Sequence, residues 1–414
     1  MIKLILGVIK LKKQVNEISL FLVSQALSIF GSSIVGYAII WHITLETSSA
    51  LMLTLSVLCT FLPKLIMSIP AGILADRFDR KVVIILGDAI TAVSTLFAYF
   101  ALAFWNYSIT IILISAALRS VGAGIQEPVV SAFLPSICCK EKLVKVNSLN
   151  STLNSIILLL SPGIGGLLLS IIGFRVILLL DVATAMVAIL LLTLIKNNSK
   201  QIQPNETSFF KAIVFYSKKF SEGVHFFKND RVLGKIALMY MAFYFFMSVP
   251  AFLTPMLVER SFGADIWKLS VNEVFWSLGT ILGGLVMFIW GGFGSRLKTM
   301  ALSSCLFGIF IFLMGMSSRF DVYLIVMTLA GVSMPIFSTA NTLLIQECVP
   351  DRFLGRIFAN YQLLISFSMP AGIIIFGPLG DLVPIEALLL FAGFCIFIIA
   401  GFIFKVYCDT RLMK

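Results

Sequence analysis

The chain alternates long apolar runs with short polar turns over most of its length. A helix needs about 20 mostly apolar residues to cross a bilayer core of roughly 30 Å. Apolar side chains fill every side of these runs, unlike the alternating faces of a barrel strand, so helices alone would satisfy their backbone polar groups in lipid. The pattern predicts twelve membrane-spanning helices, at approximately 18–43, 50–74, 82–104, 108–133, 146–171, 174–195, 233–258, 269–292, 299–317, 321–345, 357–379 and 384–405.

Composition supports an all-α integral membrane protein. Hydrophobic residues make up 59% of the 414 residues and charged residues 12%, which leaves too little polar surface for a soluble globule. The longest polar segment divides six spans from six. We therefore predict an N-terminal six-helix bundle at 1–195, a cytoplasmic linker with a basic amphipathic helix at 196–232, and a C-terminal six-helix bundle at 233–414.

The basic residues predict the orientation of the chain in the membrane. Most Lys and Arg residues fall on the side that carries both termini, and the other side has only Arg175, Arg260, Lys268 and Arg319. The positive-inside rule then places both termini in the cytoplasm. The net charge of +11 follows from this topology, so it does not indicate a nucleic-acid partner.

Several chemistries lack the residues they need. The two His and seven Cys residues show no metal-ligand spacing, so we expect no metal, no cofactor and no disulfide framework. No GxxxxGK[ST] loop is present, which argues against ATP as the energy source. No nucleophile, base and orienting group can be assembled, so a membrane enzyme is the weakest of the functional alternatives.

Three short motifs resemble those of one transporter family. GILADRFDRK (72–81) follows span two, LRSVGAG (118–124) lies in span four and SPGIGG (161–166) in span five. Together with the six-plus-six layout and the linker, they resemble the major facilitator superfamily: its signature Gly-x-Leu-Ala-Asp-Arg-x-Gly-Arg-Lys, its Arg-x-x-Gly-x-Gly motif, and the Gly-Pro-x-x-Gly-Gly motif of its antiporters. Asp79 stands where Gly is usual, and Ser161 replaces the first Gly of the antiporter motif. The layout and QECVPDRFLGR (346–356) are most similar to the macrolide-efflux branch of the drug:proton antiporters.

This resemblance implies the fold and the function. The fold is two six-helix bundles enclosing a central cavity. The function is secondary active export of amphipathic small molecules, a macrolide or another drug, by proton antiport with alternating access. The expected setting is a bacterial cell membrane, and the expected partners are substrate, protons and lipid, with the protein a monomer. An exporter or flippase of lysophospholipid or siderophore with the same fold remains the alternative.

Asp76 is the charge in the first motif that topology does not explain, because carboxylates contribute little to orientation. The resemblance implies that Asp76 contacts the N-terminus of span eleven, whose partial positive charge attracts a carboxylate. The loop would then act as a cytoplasmic latch between the bundles. The predicted latch residues are Gly72, Asp76, Arg77, Arg80 and Lys81. For Arg80 and Lys81, orientation alone is a sufficient alternative explanation.

Charged residues at Lys64, Asp88, Arg119, Glu127 and Asp181 fall inside predicted spans, where each would cost about 2.5–3.5 kcal/mol at a helix centre. Lys64 and Asp88 lie at similar depth on either side of the second loop, which predicts a structural ion pair. Arg119 and Glu127 share span four, which lines the cavity in the resembled family, so we predict that they couple proton movement to transport. Asp181 is the reserve proton site, and a tether to another helix is an equal alternative.

The predicted substrate cavity combines one amide with aromatic side chains. Gln126 lies seven residues after Arg119, on nearly the same helix face. Aromatic side chains on the presumed pore-lining helices suit a large amphipathic substrate. The predicted cavity residues are Gln126, Tyr37, Tyr240, Tyr244 and Trp276.

The SPGIGG motif has a packing role and an implied functional one. Its Pro162, Gly163, Gly165 and Gly166 permit a bend and close helix approach within the membrane. Its similarity to the antiporter motif is what favours efflux over uptake.

Overall fold

The computed structural model describes the backbone at residues 2–104, 108–138, 140–195, 231–349 and 351–412. Within these ranges it describes all side chains except those of 2–16, 69, 73, 76, 140, 141, 144, 231–233, 351–356, 358–360, 362, 363 and 410–412. The predicted linker lies almost entirely outside the described residues, so its boundaries and its amphipathic helix stay predictions.

Helices account for nearly all of the described backbone. They are α1 (Ile2–Thr47), α2 (Ala50–Arg77), α3 (Arg80–Phe104), α4 (Ile109–Ile137), the run Lys140–Leu194 comprising α5 and α6, α7 (Arg231–Leu257) with a π-helical turn (Val258–Phe262), α8 (Ile266–Trp290), α9 (Arg296–Met316), α10 (Phe320–Cys348), α11 (Asp351–Leu382) and α12 (Ile385–Leu412). Within the described residues, eleven helical runs are long and apolar enough to cross a membrane, and the run at Lys145–Leu194 is long enough for two spans. The predicted all-α membrane fold is confirmed.

Gly173 separates α5 (140–172) from α6 (174–194). Its φ of 75° and ψ of 165° are not helical, so the chain changes direction there without a connecting loop. Only glycine reaches this backbone conformation without a steric penalty from a Cβ atom. The sequence pattern had the break in the same place, between the spans predicted at 146–171 and 174–195.

The chain forms two compact units. The first contains α1 up to His42, α2 from Leu55 onward, and α3 to α6. The second contains Ile43–Thr54, which is the end of α1 and the start of α2, together with α7 to α12. In the first unit α3 packs against α4 and the α5–α6 run; in the second, α9 packs against α10 and α12, and α7 against α11 and α12.

Two glycines bring α3 and α4 into backbone contact in the first unit. A Cβ atom added at Gly122 would lie 2.6 Å from the carbonyl oxygen of Gly87, and one added at Gly87 would lie 2.9 Å from the oxygen of Gly122. Small residues permit this close approach between membrane helices. The contact fixes the relative rotation of the two helices next to Asp88, which follows Gly87 in the chain.

Candidate functional site

A buried ion pair joins α4 to α6 in the first unit. Nη1 of Arg119 donates to Oδ2 of Asp181 and to Oγ1 of Thr95, and the two charged side chains are 9% and 1% exposed. The hydroxyls of Ser32 and Thr95 donate to the Asp181 carboxylate at 3.1 and 2.9 Å. A buried ion pair is tolerated when further hydrogen bonds satisfy its polar atoms, as they do here. Asp181 therefore tethers α6 to α4, and a proton-binding role for it stays a prediction.

A second ion pair joins α4 to α2, and it corrects one of our predictions. Nζ of Lys64 lies 2.6 Å from Oε1 of Glu127, and the two side chains are 41% and 62% exposed. The predicted pair between Lys64 and Asp88 is wrong. Lys64 and Asp88 were predicted to pair because they lie at similar depth in the membrane. The rotation of α2 instead turns the Lys64 side chain toward Glu127 of α4.

Close packing of α2 against α4 explains that rotation. A Cβ atom at Gly124 would lie 2.6 Å from the carbonyl oxygen of Lys64, so only glycine allows the approach. One turn earlier, the Ser120 hydroxyl accepts from the Lys64 N–H at 3.0 Å and donates to the Thr60 carbonyl. The Ser120 hydroxyl thus lies between the Lys64 N–H and the Thr60 carbonyl, which would hydrogen-bond to each other in a regular helix. Sequence reasoning missed Ser120, since nothing distinguishes it from other serines in membrane spans.

Asp88 is a buried carboxylate without a cationic partner among the described side chains. It is 1% exposed. Its Oδ1 atom shares a hydrogen bond of 2.5 Å with the Ser28 hydroxyl and accepts from Nε2 of Gln126 at 2.9 Å. Its Oδ2 atom is buried and has no hydrogen-bond partner in the described part of the chain. Unsatisfied buried polar atoms are rare in native proteins, so this one requires an explanation.

A polar cavity of about 570 Å³ opens within the first unit beside these groups. Its charged and amide side chains come from α1, α2, α4 and α5, and serines of α1 and α4 complete the polar wall. The principal polar side chains are those of Gln25, Ser28, Lys64, Arg119, Gln126 and Glu127. The cavity therefore brings together four predicted site residues, Lys64, Arg119, Gln126 and Glu127. Asp88 lies behind Ser28 and Gln126.

The four predicted aromatic residues are not among the described residues that line this cavity. The Tyr37 ring is 5.5 Å from that of Trp41 on α1. Tyr240 and Tyr244 are buried in an aromatic cluster of the second unit, with Tyr240 stacked 5.7 Å from Phe337. Trp276 lies 6.4 Å from Phe307. Direct contact of these four with substrate stays a prediction.

The SPGIGG motif packs α5 against α1. A Cβ atom at Gly165 would be 3.4 Å from the carbonyl oxygen of Ile34, and Pro162 and Gly166 are buried while Gly163 is half-buried. The motif therefore allows α5 to pack closely against α1, as its small residues predict. Its role in antiport stays a prediction.

In GILADRFDRK, two basic residues cap other helices of the first unit. Nη1 of Arg80 donates to the Ala132 carbonyl near the end of α4 at 2.8 Å. Nζ of Lys81 donates to the carbonyls of Thr193 and Ile195, at the end of α6, at 2.9 and 2.8 Å. Cations at helix C-termini satisfy free carbonyls and the helix dipole. These two residues therefore have a stabilising role that neither orientation nor a latch requires.

The remaining residues of that motif differ in how far the structure describes their contacts. Oδ1 of Asp79 accepts from the Lys81 N–H at 2.9 Å and so caps the N-terminus of α3, which accounts for an acid where Gly is usual. Gly72 is half-buried and Arg77 is exposed. The Asp76 side chain lies outside the described residues, so its predicted contact with span eleven stays a prediction.

The second unit contains a charged cluster that the sequence did not reveal. Asp381 near the end of α11 accepts from the backbone N–H groups of Ala50 and Leu51 at 2.7 and 2.9 Å, at the start of α2. Arg260 donates to Asp381 at 2.6 Å and to the Gly380 carbonyl at 2.6 Å. The carboxylate thus satisfies free donors at a helix N-terminus. Among the described residues, no group of three or more His, Cys, Asp or Glu could hold a metal ion.

Comparison with known proteins identifies the family. The profile of the Major Facilitator Superfamily matches residues 21–373. The chain belongs to this superfamily. Macrolide efflux protein A of Streptococcus pyogenes is 26% identical over 384 residues, 91% of this chain and 92% of the relative. The Staphyloferrin A transporter of Staphylococcus aureus is 23% identical over 346 residues, 82% and 83% of the two chains.

Solved structures agree on the fold. A POT family transporter in complex with a thioalcohol-conjugated peptide aligns with a TM-score of 0.71 at 12% identity, covering 95% of this chain and 96% of the other. A bacterial homologue of the iron transporter ferroportin in its inward-facing state aligns with a TM-score of 0.64 at 15% identity, covering 95% and 98%. The superfamily member described here is a multi-pass transporter of small molecules in a bacterial cell membrane, similar to macrolide-efflux proteins, and not an enzyme. The predicted family, fold and location are confirmed.

Proposed function

We propose that this transporter exports amphipathic small molecules of the macrolide type, or other drugs, in exchange for protons. The observation that carries the proposal is the polar cavity of the first unit with an accessible carboxylate, Glu127, in its wall. The relatives named for macrolide efflux and the resemblance of SPGIGG to the antiporter motif support the direction of transport.

The cavity suits a substrate with many hydrogen-bonding groups. Its volume of about 570 Å³ lies within the roughly 300–1,000 Å³ that is usual for small-molecule sites. A macrolide carries hydroxyl and carbonyl groups for the serine, asparagine and glutamine side chains of the wall, and an amine for a carboxylate. Glu127 is 62% exposed, so a substrate ammonium can reach it in competition with Nζ of Lys64.

The same exposure lets Glu127 take part in proton exchange. A carboxylate that binds either a proton or a cationic substrate cannot hold both, and this exclusion is the basic requirement of antiport. Coupling further requires that protonation changes the relative free energies of two transporter conformations. Arg119 and Asp181 would transmit such a change, because they tether α4, which carries Glu127, to α6.

The test is transport of radiolabelled erythromycin into inside-out vesicles under an imposed pH gradient. Glu127→Gln keeps the shape of the side chain but cannot titrate, so we expect erythromycin binding to persist and gradient-driven transport to fail. Glu347→Gln is the matched control, since Glu347 is also an exposed acid paired with a cation, Arg296, but lies outside the cavity. Unchanged gradient-driven transport in Glu127→Gln would remove Glu127 from the mechanism. Wild-type transport that ignores the gradient would remove proton antiport.

Siderophore export is the second candidate function. The relative named for staphyloferrin A matches most of the chain, and the exposed cation in the cavity wall, Lys64, suits an anionic ligand. Vesicles that transport a labelled carboxylate siderophore but no erythromycin, with strong loss in Lys64→Met, would establish this function instead. Transport of labelled lysophospholipid alone would point to the lipid-exporting alternative.

A further inference from the structure

Asp88 presents an electrostatic problem that its neighbours do not solve. An ionised carboxylate that is 1% exposed needs a cation or several donors to offset its lost hydration. Among the described side chains, the four other charges within the spans of the first unit are already paired: Arg119 of α4 with Asp181 of α6, and Lys64 of α2 with Glu127 of α4. Of the described side chains of α1, Ser28 alone hydrogen-bonds to Asp88, and Asp181 interacts with Asp88 as a like charge.

The burial of Asp88 and its unpartnered Oδ2 atom favour a neutral acid over an anion, whereas the hydrogen bonds with Ser28 and Gln126 can be made by either form. Both bonds fall on Oδ1, whereas Oδ2 is buried with no partner in the described part of the chain. An anion would leave negative charge on that unsatisfied oxygen, at a cost that grows in a medium of low dielectric constant. A neutral carboxyl group can donate its O–H to Oγ of Ser28 and still accept from Nε2 of Gln126.

We propose that Asp88 is protonated in this conformation and is a proton-binding site of the transport cycle, connected to the cavity through Ser28. The inference rests on the proton-coupled transport proposed above. It assigns to Asp88 a role separate from that of Glu127, because Glu127 is open to the cavity and Asp88 is screened from it by Ser28 and Gln126.

The Ser28 hydroxyl completes the route for the proton. Its oxygen lies 2.5 Å from Oδ1 of Asp88, and its side chain lines the cavity. In release, the carboxyl proton passes to Oγ of Ser28 while the hydroxyl proton of Ser28 passes to a water molecule in the cavity. Asp88 becomes a carboxylate, the water becomes hydronium, and no electrons are transferred. Loading is the reverse of these two transfers.

Gln25 offers a way to stabilise the ionised form. Its Nε2 donor is buried without a partner among the described residues, and it lies on α1 one turn before Ser28, on the same face. The backbone contact of Gly87 with Gly122 holds Asp88 and Gln126 together, so α1 is the element whose movement would change the donors around the carboxylate. A shift of α1 thus provides a physical link between conformation and protonation.

Infrared absorption of the purified, lipid-reconstituted protein tests the protonation state without any substrate. At neutral pH we expect a carbonyl band of a protonated carboxyl group that is lost in Asp88→Asn and retained in Glu127→Gln. Asn has the shape of Asp and keeps a partner for Ser28, and a melting curve verifies that the variant is folded. A band of equal intensity in Asp88→Asn would overturn the inference.

Two further variants test the route and the coupling. In Ser28→Ala the band should remain, but its shift on transfer to heavy water should be slowed at least several-fold, whereas an unchanged rate would exclude the route through Ser28. In Asp88→Asn, gradient-driven erythromycin transport should fall at least tenfold while exchange of labelled for unlabelled erythromycin continues. Normal gradient-driven transport in Asp88→Asn would overturn the role in coupling. If wild type ignores the gradient, the proposed function fails, and the infrared result still decides whether Asp88 is protonated.

Discussion

Two ion pairs extend from α4 to other helices of the first unit, and they differ in almost every physical respect. Arg119 and Asp181 are 9% and 1% exposed and have further hydroxyl partners. Lys64 and Glu127 are 41% and 62% exposed and border the cavity. The first pair loses its hydration when the protein folds and depends on its partners; the second remains in contact with cavity solvent.

This difference in exposure indicates that the buried pair has a structural role, whereas the exposed pair can exchange its partner for solvent or a ligand. Breaking a buried pair leaves an uncompensated charge with no access to water, whereas an exposed pair contributes at most about 1 kcal/mol because solvent replaces the lost partner. We therefore infer that the Arg119–Asp181 pair maintains the packing of α4 and that the Lys64–Glu127 pair can open for substrate or proton.

Arg119→Ala should have the largest effect. It strands the Asp181 carboxylate, so we expect a destabilisation of about 3–5 kcal/mol, membrane insertion largely intact, and loss of transport. The melting temperature in detergent and erythromycin transport in vesicles measure the two effects. The double variant Arg119→Ala/Asp181→Asn is the control, since neutralising the stranded acid should recover part of the stability. Wild-type melting and efflux in Arg119→Ala would show that the buried pair is dispensable.

Gly124→Ala, at the contact of α2 with α4 beside the exposed pair, should have an intermediate effect on stability. The added Cβ atom would lie 2.6 Å from the Lys64 carbonyl oxygen, so α2 must move away from α4. Overpacking of this kind costs about 1–3 kcal/mol, which the melting temperature would report. Gly284→Ala is the matched control, because a Cβ atom there meets no atom within 4 Å. Equal melting temperatures for the two variants would contradict the role assigned to the contact between α2 and α4.

Neutralising the exposed pair should have the smallest effect on stability. We expect Glu127→Gln and Lys64→Met each to change the free energy of unfolding by less than about 1 kcal/mol. Salt screens exposed charges, so the difference from wild type should shrink further in high salt, whereas the effect of Arg119→Ala should not. A destabilisation by Glu127→Gln as large as that by Arg119→Ala would remove the distinction between the two pairs.

Much of this architecture was predictable because membrane helices carry a strong local signal. The twelve predicted spans each have a helical counterpart, and the break at Gly173 was predicted by the gap between two apolar runs. The motifs predicted the superfamily, which the comparisons confirmed. The rule that intramembrane charges need partners also held for Lys64, Arg119, Glu127 and Asp181, all of which form ion pairs.

The partners of those charges were harder to predict. Depth in the membrane can be counted along one helix, but an ion pair also requires that two helices face each other with the right rotation. Lys64 and Asp88 satisfied the first condition and failed the second, because Gly124 and Ser120 turn α2 toward Glu127. Neither residue is distinctive in the sequence, where small and hydroxyl side chains are common in membrane spans.

The sequence by itself determined the class of protein, the number of spans, the family and the residues whose charge must be accommodated in the membrane. These follow from hydropathy and from motifs, both of which lie within short stretches of chain. Only the tertiary structure decided that Arg119 pairs with Asp181, that Lys64 pairs with Glu127 and that Asp88 has no described cation beside it. Those relations join residues about 60 positions apart, and they depend on side-chain packing between helices, which no local pattern encodes.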